Sequence, residues 1–167
     1  MGNVFEDAFM ELQTGWVESC LEALDGISVE KICIYQSIER SSYGGDVFFV
    51  KNGKAVRKEN VGMSDDTQWS LLNLLTMELA DVIRICEEYD RPCPTEMKLI
   101  YDVDQSTFDA DYQYEPIREG LHSPMLSDIL NVWMEDVQKQ LDEGKTDLEI
   151  HVSEPKKKKN WLKWWKK

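Results

Sequence analysis

Three stretches of the chain carry apolar residues at intervals of three and four positions, which is the spacing of an amphipathic helix. The first is residues 4–24, the second starts near the N-cap candidate Ser64 and ends before Arg91, and the third is residues 123–144. The side chains predicted to face the core are Phe5, Phe9, Leu12, Trp16, Cys20 and Leu24, then Trp69, Leu72, Leu75, Leu79, Val82, Ile83 and Cys86, then Leu126, Ile129, Leu130, Trp133, Val137 and Leu141.

Short β-rich runs lie between these helices: residues 31–38, 46–58, 97–103 and 108–114, with residues 148–152 as a further short candidate. Asn52-Gly53 is a strong tight-turn signal within the second run, and the DQST stretch at residues 104–107 has turn chemistry. Hairpin connections between helices favour an antiparallel β-sheet packed with about three amphipathic helices. We therefore expect a single α+β domain.

The acid-rich segment at residues 101–116 admits three interpretations: a metal loop, a catalytic carboxylate pair, or one face of a hairpin. A calcium-binding loop counted from Asp102 would need Gly at position 6 and Glu at position 12, where this chain has Thr107 and Gln113. A catalytic pair needs two carboxyl groups in contrasting environments, whereas a strand would put these acids together on one solvated face. A β-hairpin is therefore the preferred interpretation.

The predicted hairpin has a wet face and a dry face, because alternate residues of a strand point to opposite sides. The acidic, wet face consists of Asp109, Asp111, Gln113 and Glu115, and the face toward the core consists of Phe108, Ala110, Tyr112 and Tyr114. The two tyrosine hydroxyls then need hydrogen-bond partners in the core.

The net charge of −13 combines two regions of opposite sign. The last thirteen residues, PKKKKNWLKWWKK at positions 155–167, contain seven lysines and no acid. Without those lysines, residues 1–154 keep 12 basic and 32 acidic side chains, a net charge of −20. An acidic body with a basic tail indicates electrostatic partners for the protein and says little about its fold.

Candidates for catalysis and metal binding are scarce in the sequence. The four cysteines have no CxxC spacing, and the two histidines, His122 and His151, form no visible zinc or Cys–His constellation. We expect no catalytic residue, no cofactor, no metal and buried reduced thiols. An acidic N-terminus and the lack of a run of roughly 18 apolar residues favour a cytoplasmic location.

Two stretches and the order of elements resemble the YezG-like immunity proteins, antitoxins that bacteria make beside secreted polymorphic toxins. The stretches are VEKICIYQSIERSSYGGDVFFV at residues 29–50 and KLIYDVDQSTFDADYQYEPI at residues 98–117. The second contains the family's aromatic-rich F-x-x-D-[YF]-x-Y run as Phe108, Asp111, Tyr112 and Tyr114. With the helix from Trp69, the likeness covers roughly residues 5–120.

This resemblance implies a protein without chemistry of its own that binds a toxin domain, often a nuclease, and blocks it in the producing cell. A nuclease presents cationic surface to hold phosphates, so an acidic body complements it. The hairpin face formed by Asp109, Asp111, Gln113 and Glu115 is the part of the contact that the sequence predicts. The acidic body also argues against nucleic acid as a partner.

The basic tail suggests a second kind of partner. In a helical conformation Trp161, Trp164 and Trp165 would share one side, with lysines beside them, a pattern typical of membrane interfaces. Lys156, Lys157, Lys158 and Lys159 would add attraction to anionic lipid at the inner face of the membrane. The alternative function is therefore a membrane-peripheral adaptor with no toxin partner. Two other interpretations stay open: the tail folds back on the acidic body, or it is an inert solubilising end.

Overall fold

The computed structural model describes residues 4–39, 42–115 and 125–150. In chain order the elements are α1 (Val4–Leu24), β1 (Lys31–Glu39), β2 (Ser42–Lys51), β3 (Lys54–Arg57), α2 (Asp65–Met77), α3 (Leu79–Glu88), β4 (Glu96–Asp102), β5 (Thr107–Gln113) and α4 (Leu126–Asp142). The predicted α+β class with an antiparallel sheet is confirmed. The tail residues proposed to meet a membrane, Lys156 to Lys159, Trp161, Trp164 and Trp165, lie outside the described residues.

The five strands form one sheet in the order β3-β2-β1-β4-β5, and every neighbouring pair is antiparallel. The central strand is covered on both sides, since every side chain from Lys31 to Ile38 is buried. Ile32 and Ile34 pack in the core beneath α1, α2 and α3, whereas Cys33 and Tyr35 pack in the core beneath α4. The sheet is therefore the middle layer of three.

Both hairpin turns lie where the sequence predicted them. Asn52 and Gly53 have φ angles of 54° and 74°, the pair of positive values that a two-residue turn of type I′ requires. The DQST turn connects β4 to β5, and Ser106 there adopts a φ of 56°. Just before it, the Asp102 carboxylate accepts a hydrogen bond from the Gln105 backbone amide at 3.0 Å, a local side-chain-to-backbone bond of the kind that favours turns.

The predicted second helix is two helices, because the backbone turns at Glu78 between α2 and α3. Its inward stripe begins at Leu71 and Leu75, which are buried. The prediction that Trp69 faces the core is wrong, since that side chain is 61% exposed. The physical reason is an excess of apolar residues: α2 has more of them than one helix face can bury, so periodicity alone does not select the buried set.

The short strand expected at residues 148–152 is absent from residues 148–150, and Val152 lies outside the described residues. The Gln140 side chain takes the place of a neighbouring strand. Its oxygen accepts a hydrogen bond from the Glu149 amide at 2.8 Å, and its nitrogen donates one to the Glu149 carbonyl at 3.0 Å. Leu148 packs into the core on the α4 side without a strand partner.

α4 attaches to the sheet through the apolar stripe predicted for the third helix. Ile129, Leu130, Trp133 and Val137 are buried, and Leu126 and Leu141 are partly buried beside them. Trp133 is 2% exposed, and its ring meets Phe48 of β2 edge-on at a centroid distance of 5.0 Å. Trp133 is therefore the main anchor of this helix.

We expect Trp133→Ala to lower the free energy of unfolding by roughly 3–5 kcal/mol, because it removes a buried ring and leaves a cavity between α4 and the sheet. Its neighbour Val132 is 65% exposed, so Val132→Ala should change stability by no more than about 0.5 kcal/mol. Denaturant unfolding of both variants measures the difference. Equal effects would show that α4 does not depend on Trp133 for its packing.

Candidate partner-binding surfaces

The hairpin face predicted to bind a partner is only partly accessible. Asp109 is exposed and Asp111 and Glu115 are half-buried, but Gln113 is 4% exposed. The prediction that all four side chains are wet is therefore wrong for Gln113. Asp109 and Gln113 both lie on the side of the sheet that faces α4, opposite Ile100 and Glu96 of β4, and of the two only Gln113 is buried, next to the buried Glu96.

The other face of β5 largely follows the prediction. Phe108, Ala110 and Tyr112 pack against the core beneath α1. The Tyr112 hydroxyl accepts a hydrogen bond of 2.6 Å from the side-chain nitrogen of the buried Gln13, so the expected partner is present. Tyr114 follows the last residue of the strand and is 39% exposed, so its assignment to the core is only half right.

A polar cluster lies between the sheet and α4. The Tyr35 hydroxyl donates a 2.6 Å hydrogen bond to Glu96, and Lys98 lies beside Glu96, Asp111 and Asp136. Burial lowers the pKa of Lys98, and the attraction of these three carboxylates opposes the shift. Because Lys98 is only 4% exposed, it cannot contact a macromolecule directly. The arrangement balances charges inside the fold and connects β4 to α4.

Among the residues that the structure describes, the largest accessible concentration of charge lies on the outer surfaces of α1, α2 and α3, which we call the three-helix face. Its acidic residues, all exposed or half-buried, are Glu6, Asp7, Glu11, Glu18, Glu22, Asp65, Asp66, Glu78, Asp81, Glu87 and Glu88. Arg84 is the one basic residue in these helices, and it lies 3.5 Å from both Asp81 and Glu88. The β2–β3 hairpin, in contrast, carries Lys51, Lys54 and Arg57. Charge is therefore segregated across the fold.

Two grooves follow the sides of α1 on the three-helix face. The α1–α2 groove, about 340 Å³ in volume, is lined by Glu22, Ala23, Asp66, Ser70, Leu71 and Leu74, among others. The α1–α3 groove, about 430 Å³, has Glu11, Glu78, Asp81 and Glu88 along its walls. Burial, with a contribution from nearby Asp81, raises the pKa of Glu78. A cation in this second groove would relieve that electrostatic cost.

α2 adds exposed apolar surface to the same face. Trp69 is 61% exposed, Leu74 41% and Met77 72%. Leu74 and Met77 are three positions apart and therefore neighbours on the helix surface. Trp69 lies about two turns before Met77 on the outer surface of the same helix. Aromatic residues and methionine are enriched at the centres of protein interfaces. Helical spacing alone places Trp69 in the core and does not indicate this patch, whereas the surplus of apolar residues on α2 does.

The cysteines have the properties of structural thiols. Burial raises the pKa of Cys20 to about 12, and it raises those of Cys33 and Cys86 as well. Cys93 is half-buried, and its pKa is raised to about 12, mainly by burial and further by Cys86 beside it. In the described ranges, no group of three or more His, Cys, Asp or Glu side chains is arranged to hold a metal ion.

We expect the native protein to react slowly with a thiol reagent at about pH 8, where an unperturbed cysteine is partly ionised. Cys93 should label first because it is the most accessible, and Cys20, Cys33 and Cys86 should label only after unfolding. Mass spectrometry after timed labelling measures the order, with denatured protein as the control. Rapid native labelling of Cys20 or Cys33 would contradict the burial of these thiols.

We expect Lys98→Met to lower the free energy of unfolding by roughly 3 kcal/mol, because the nearby buried or half-buried carboxylates would lose the cation that compensates them. Lys139→Met is the matched control on the exposed side of α4 and should be nearly neutral. Denaturant unfolding at neutral pH compares the two. A Lys98→Met variant as stable as the unchanged protein would show that the cluster contributes nothing to holding the layers together.

Comparison with known proteins does not identify a function. No protein-family model matches the chain, and no curated protein matches it either. The resemblance to YezG-like immunity proteins stays an expectation based on residues 29–50 and 98–117. The structural features available for a functional proposal are therefore the segregated charge, the two grooves and the exposed apolar patch on α2.

Proposed function

We propose that the protein is an immunity protein, an antitoxin that binds a cognate bacterial toxin domain and neutralises it by forming a stoichiometric complex. The observation that carries this proposal is the three-helix face, where the helices carry eleven acidic side chains and one basic residue, Arg84, and Arg91 just beyond α3 pairs with Glu6. A partner that binds there must be strongly cationic. A nuclease domain is the first candidate, because nucleases hold the phosphates of their substrate with basic residues.

Electrostatic attraction would make the formation of such a complex fast and selective. Opposite surface potentials steer the partners together before contact and raise the association rate, an effect that salt weakens. The grooves beside α1 are recesses that can accommodate basic side chains of a partner. The exposed apolar residues on α2 provide apolar contact. Long acidic side chains at the rim act mainly on the rate of encounter, whereas the apolar centre acts mainly on the lifetime of the complex.

The three-helix face is a better candidate for the contact than the β5 hairpin. Of the four hairpin residues, Gln113 is buried and Asp111 belongs to the polar cluster with Lys98. Asp109 is exposed and Glu115 half-buried, so these two can still contribute at the edge of the sheet. We therefore place the main contact on α1, α2 and α3 and a secondary contact at Asp109.

The proposed location is the cytoplasm of the toxin-producing cell, where a nuclease would otherwise reach the cell's own nucleic acid. Within the described ranges, no helix has the length and apolarity needed to cross a bilayer. Attachment to the inner face of the membrane through residues 155–167 stays a prediction from sequence, and so does the adaptor function that depends on it.

The proposal predicts a toxin gene next to the gene for this protein, and the test uses the toxin domain that this neighbouring gene encodes. Purified toxin domain and this protein should form a one-to-one complex that abolishes toxin activity and weakens as salt rises. Reversing two acids of α1, Glu18→Lys with Glu22→Lys, should slow association roughly tenfold because it weakens steering. Stopped-flow binding and a nuclease assay measure the two effects.

The matched control reverses two exposed acids at the end of α4, Asp142→Lys with Glu143→Lys, and should leave the association rate nearly unchanged. Asp109→Lys should have a smaller effect than the α1 reversal. Failure of the unchanged protein to bind or inhibit the toxin would refute the immunity function. Binding that only Asp109→Lys impairs would keep the function and move the contact to the hairpin.

A further inference from the structure

The α1–α2 groove and the outer side of α2 form an amphipathic surface that calls for an equally amphipathic occupant. Leu71, Leu74 and Ala23 line its floor and walls, and Glu22 and Asp66 stand at its edge. Trp69 and Met77 extend the apolar part over the adjacent surface of α2, where both are mostly exposed. Exposed apolar residues bordered by charge commonly mark interaction sites.

We propose that residues 155–167 of the same chain dock on this surface. The segment PKKKKNWLKWWKK has the complementary chemistry in both respects, with three tryptophans and a leucine for the apolar part and seven lysines for the acidic rim. Trp161, Trp164 and Trp165 would cover Leu74, Met77 and Trp69. The lysines would lie toward the carboxylates of Glu18, Glu22, Asp65 and Asp66.

The length of the chain permits this contact. The last described residue, Ile150, packs in the core on the α4 side, so the segment must pass around one edge of the sheet to reach α2. Trp161 lies eleven residues beyond Ile150, which gives an extended reach of about 36–40 Å. Two layer spacings of about 10 Å separate α4 from the helices on the other side.

The acidic body favours this occupant over a lipid surface. Covalent connection gives a tail an effective concentration at its docking surface that is in the millimolar range for short connections. Binding to an anionic membrane is less favourable, because residues 1–154 have a net charge of −20 and are repelled by the lipid surface at close approach. Intramolecular docking places the lysines beside acids and removes the tryptophans from water in one step. This docking does not depend on the immunity function, but a toxin that binds the three-helix face would have to displace the tail from it.

The experiment compares the full chain with a chain ending at residue 154. A fluorescent synthetic peptide of residues 155–167 is titrated into each, and its anisotropy is recorded. The shortened chain should bind one peptide with an affinity that falls as salt rises. The full chain should bind it at least roughly tenfold more weakly, because its own tail occupies the surface. Equal binding by the two chains would overturn the proposal.

Two pairs of variants of the shortened chain locate the surface. Trp69→Ala with Met77→Ala should weaken peptide binding at low and high salt alike, and Glu22→Lys with Asp66→Lys should weaken it mainly at low salt. The matched controls are Met125→Ala with Val132→Ala, which have similar exposure on α4, and Asp142→Lys with Asp147→Lys. Circular dichroism melting checks that each variant folds. Control pairs that weaken binding as much as the test pairs would overturn the assignment.

Other occupants give different results. If the tail docks on a second copy, light scattering will show dimers of the full chain that disappear on truncation, and the intramolecular proposal fails. If the tail prefers lipid, the full chain will bind phosphatidylserine vesicles as tightly as the free peptide does, and the proposal fails again. Docking predicts instead that Trp69→Ala with Met77→Ala in the full chain releases the tail and increases vesicle binding.

Discussion

Coverage of the β-sheet on both faces is the constraint on which the rest of this structure depends. The central strand β1 has no accessible side chain between Lys31 and Ile38, so each side chain there must fit into one of the two cores on either side of the sheet. Apolar residues do so by packing, and polar residues need partners: Lys31 contacts Asp102 at 2.8 Å, and Tyr35 donates to Glu96. The sheet therefore leaves little surface for binding, and the outer sides of the helices must provide it.

The charge distribution follows from the same arrangement. A buried cation such as Lys98 requires carboxylates nearby, whereas exposed acids on α1, α2 and α3 are solvated and need no partner inside the fold. Eleven acids on one layer repel one another, which lowers stability and is tolerated because water and salt screen them. A cationic occupant would relieve this repulsion. A bound cation would therefore be stabilised on the three-helix face and much less on the β2–β3 hairpin, which carries basic residues of its own.

The sequence predicted those features that depend on neighbouring residues alone. Asn52-Gly53 specified its turn because few residue pairs accept two positive φ angles, and α4 followed its apolar stripe because that stripe is narrow and regular. Features that depend on how α4 packs against the sheet were harder to predict from the sequence. Alternation placed Asp109 and Gln113 on one face of β5, but it could not indicate that β4 residues and α4 would leave the first exposed and bury the second.

Two further differences have the same origin. Trp69 and Leu71 both fit a helical stripe on α2, and only the packing of α1 and β2 against the helix decides which of them is buried. Residues 148–150 alternate like a strand, but the Gln140 side chain occupies the hydrogen-bonding positions that a strand would need. Surplus apolar residues on one helix were the available sign of an exposed apolar patch, and their spacing alone did not reveal it.

Hydroxyl-radical footprinting can report directly whether residues 155–167 cover the outer side of α2. Met77 and Met125 are 72% and 67% exposed, so they should oxidise at similar rates in a chain ending at residue 154. In the full chain, docking of the tail should make Met77 oxidise several times more slowly than Met125. An unchanged ratio of the two rates between the full and shortened chains would contradict it.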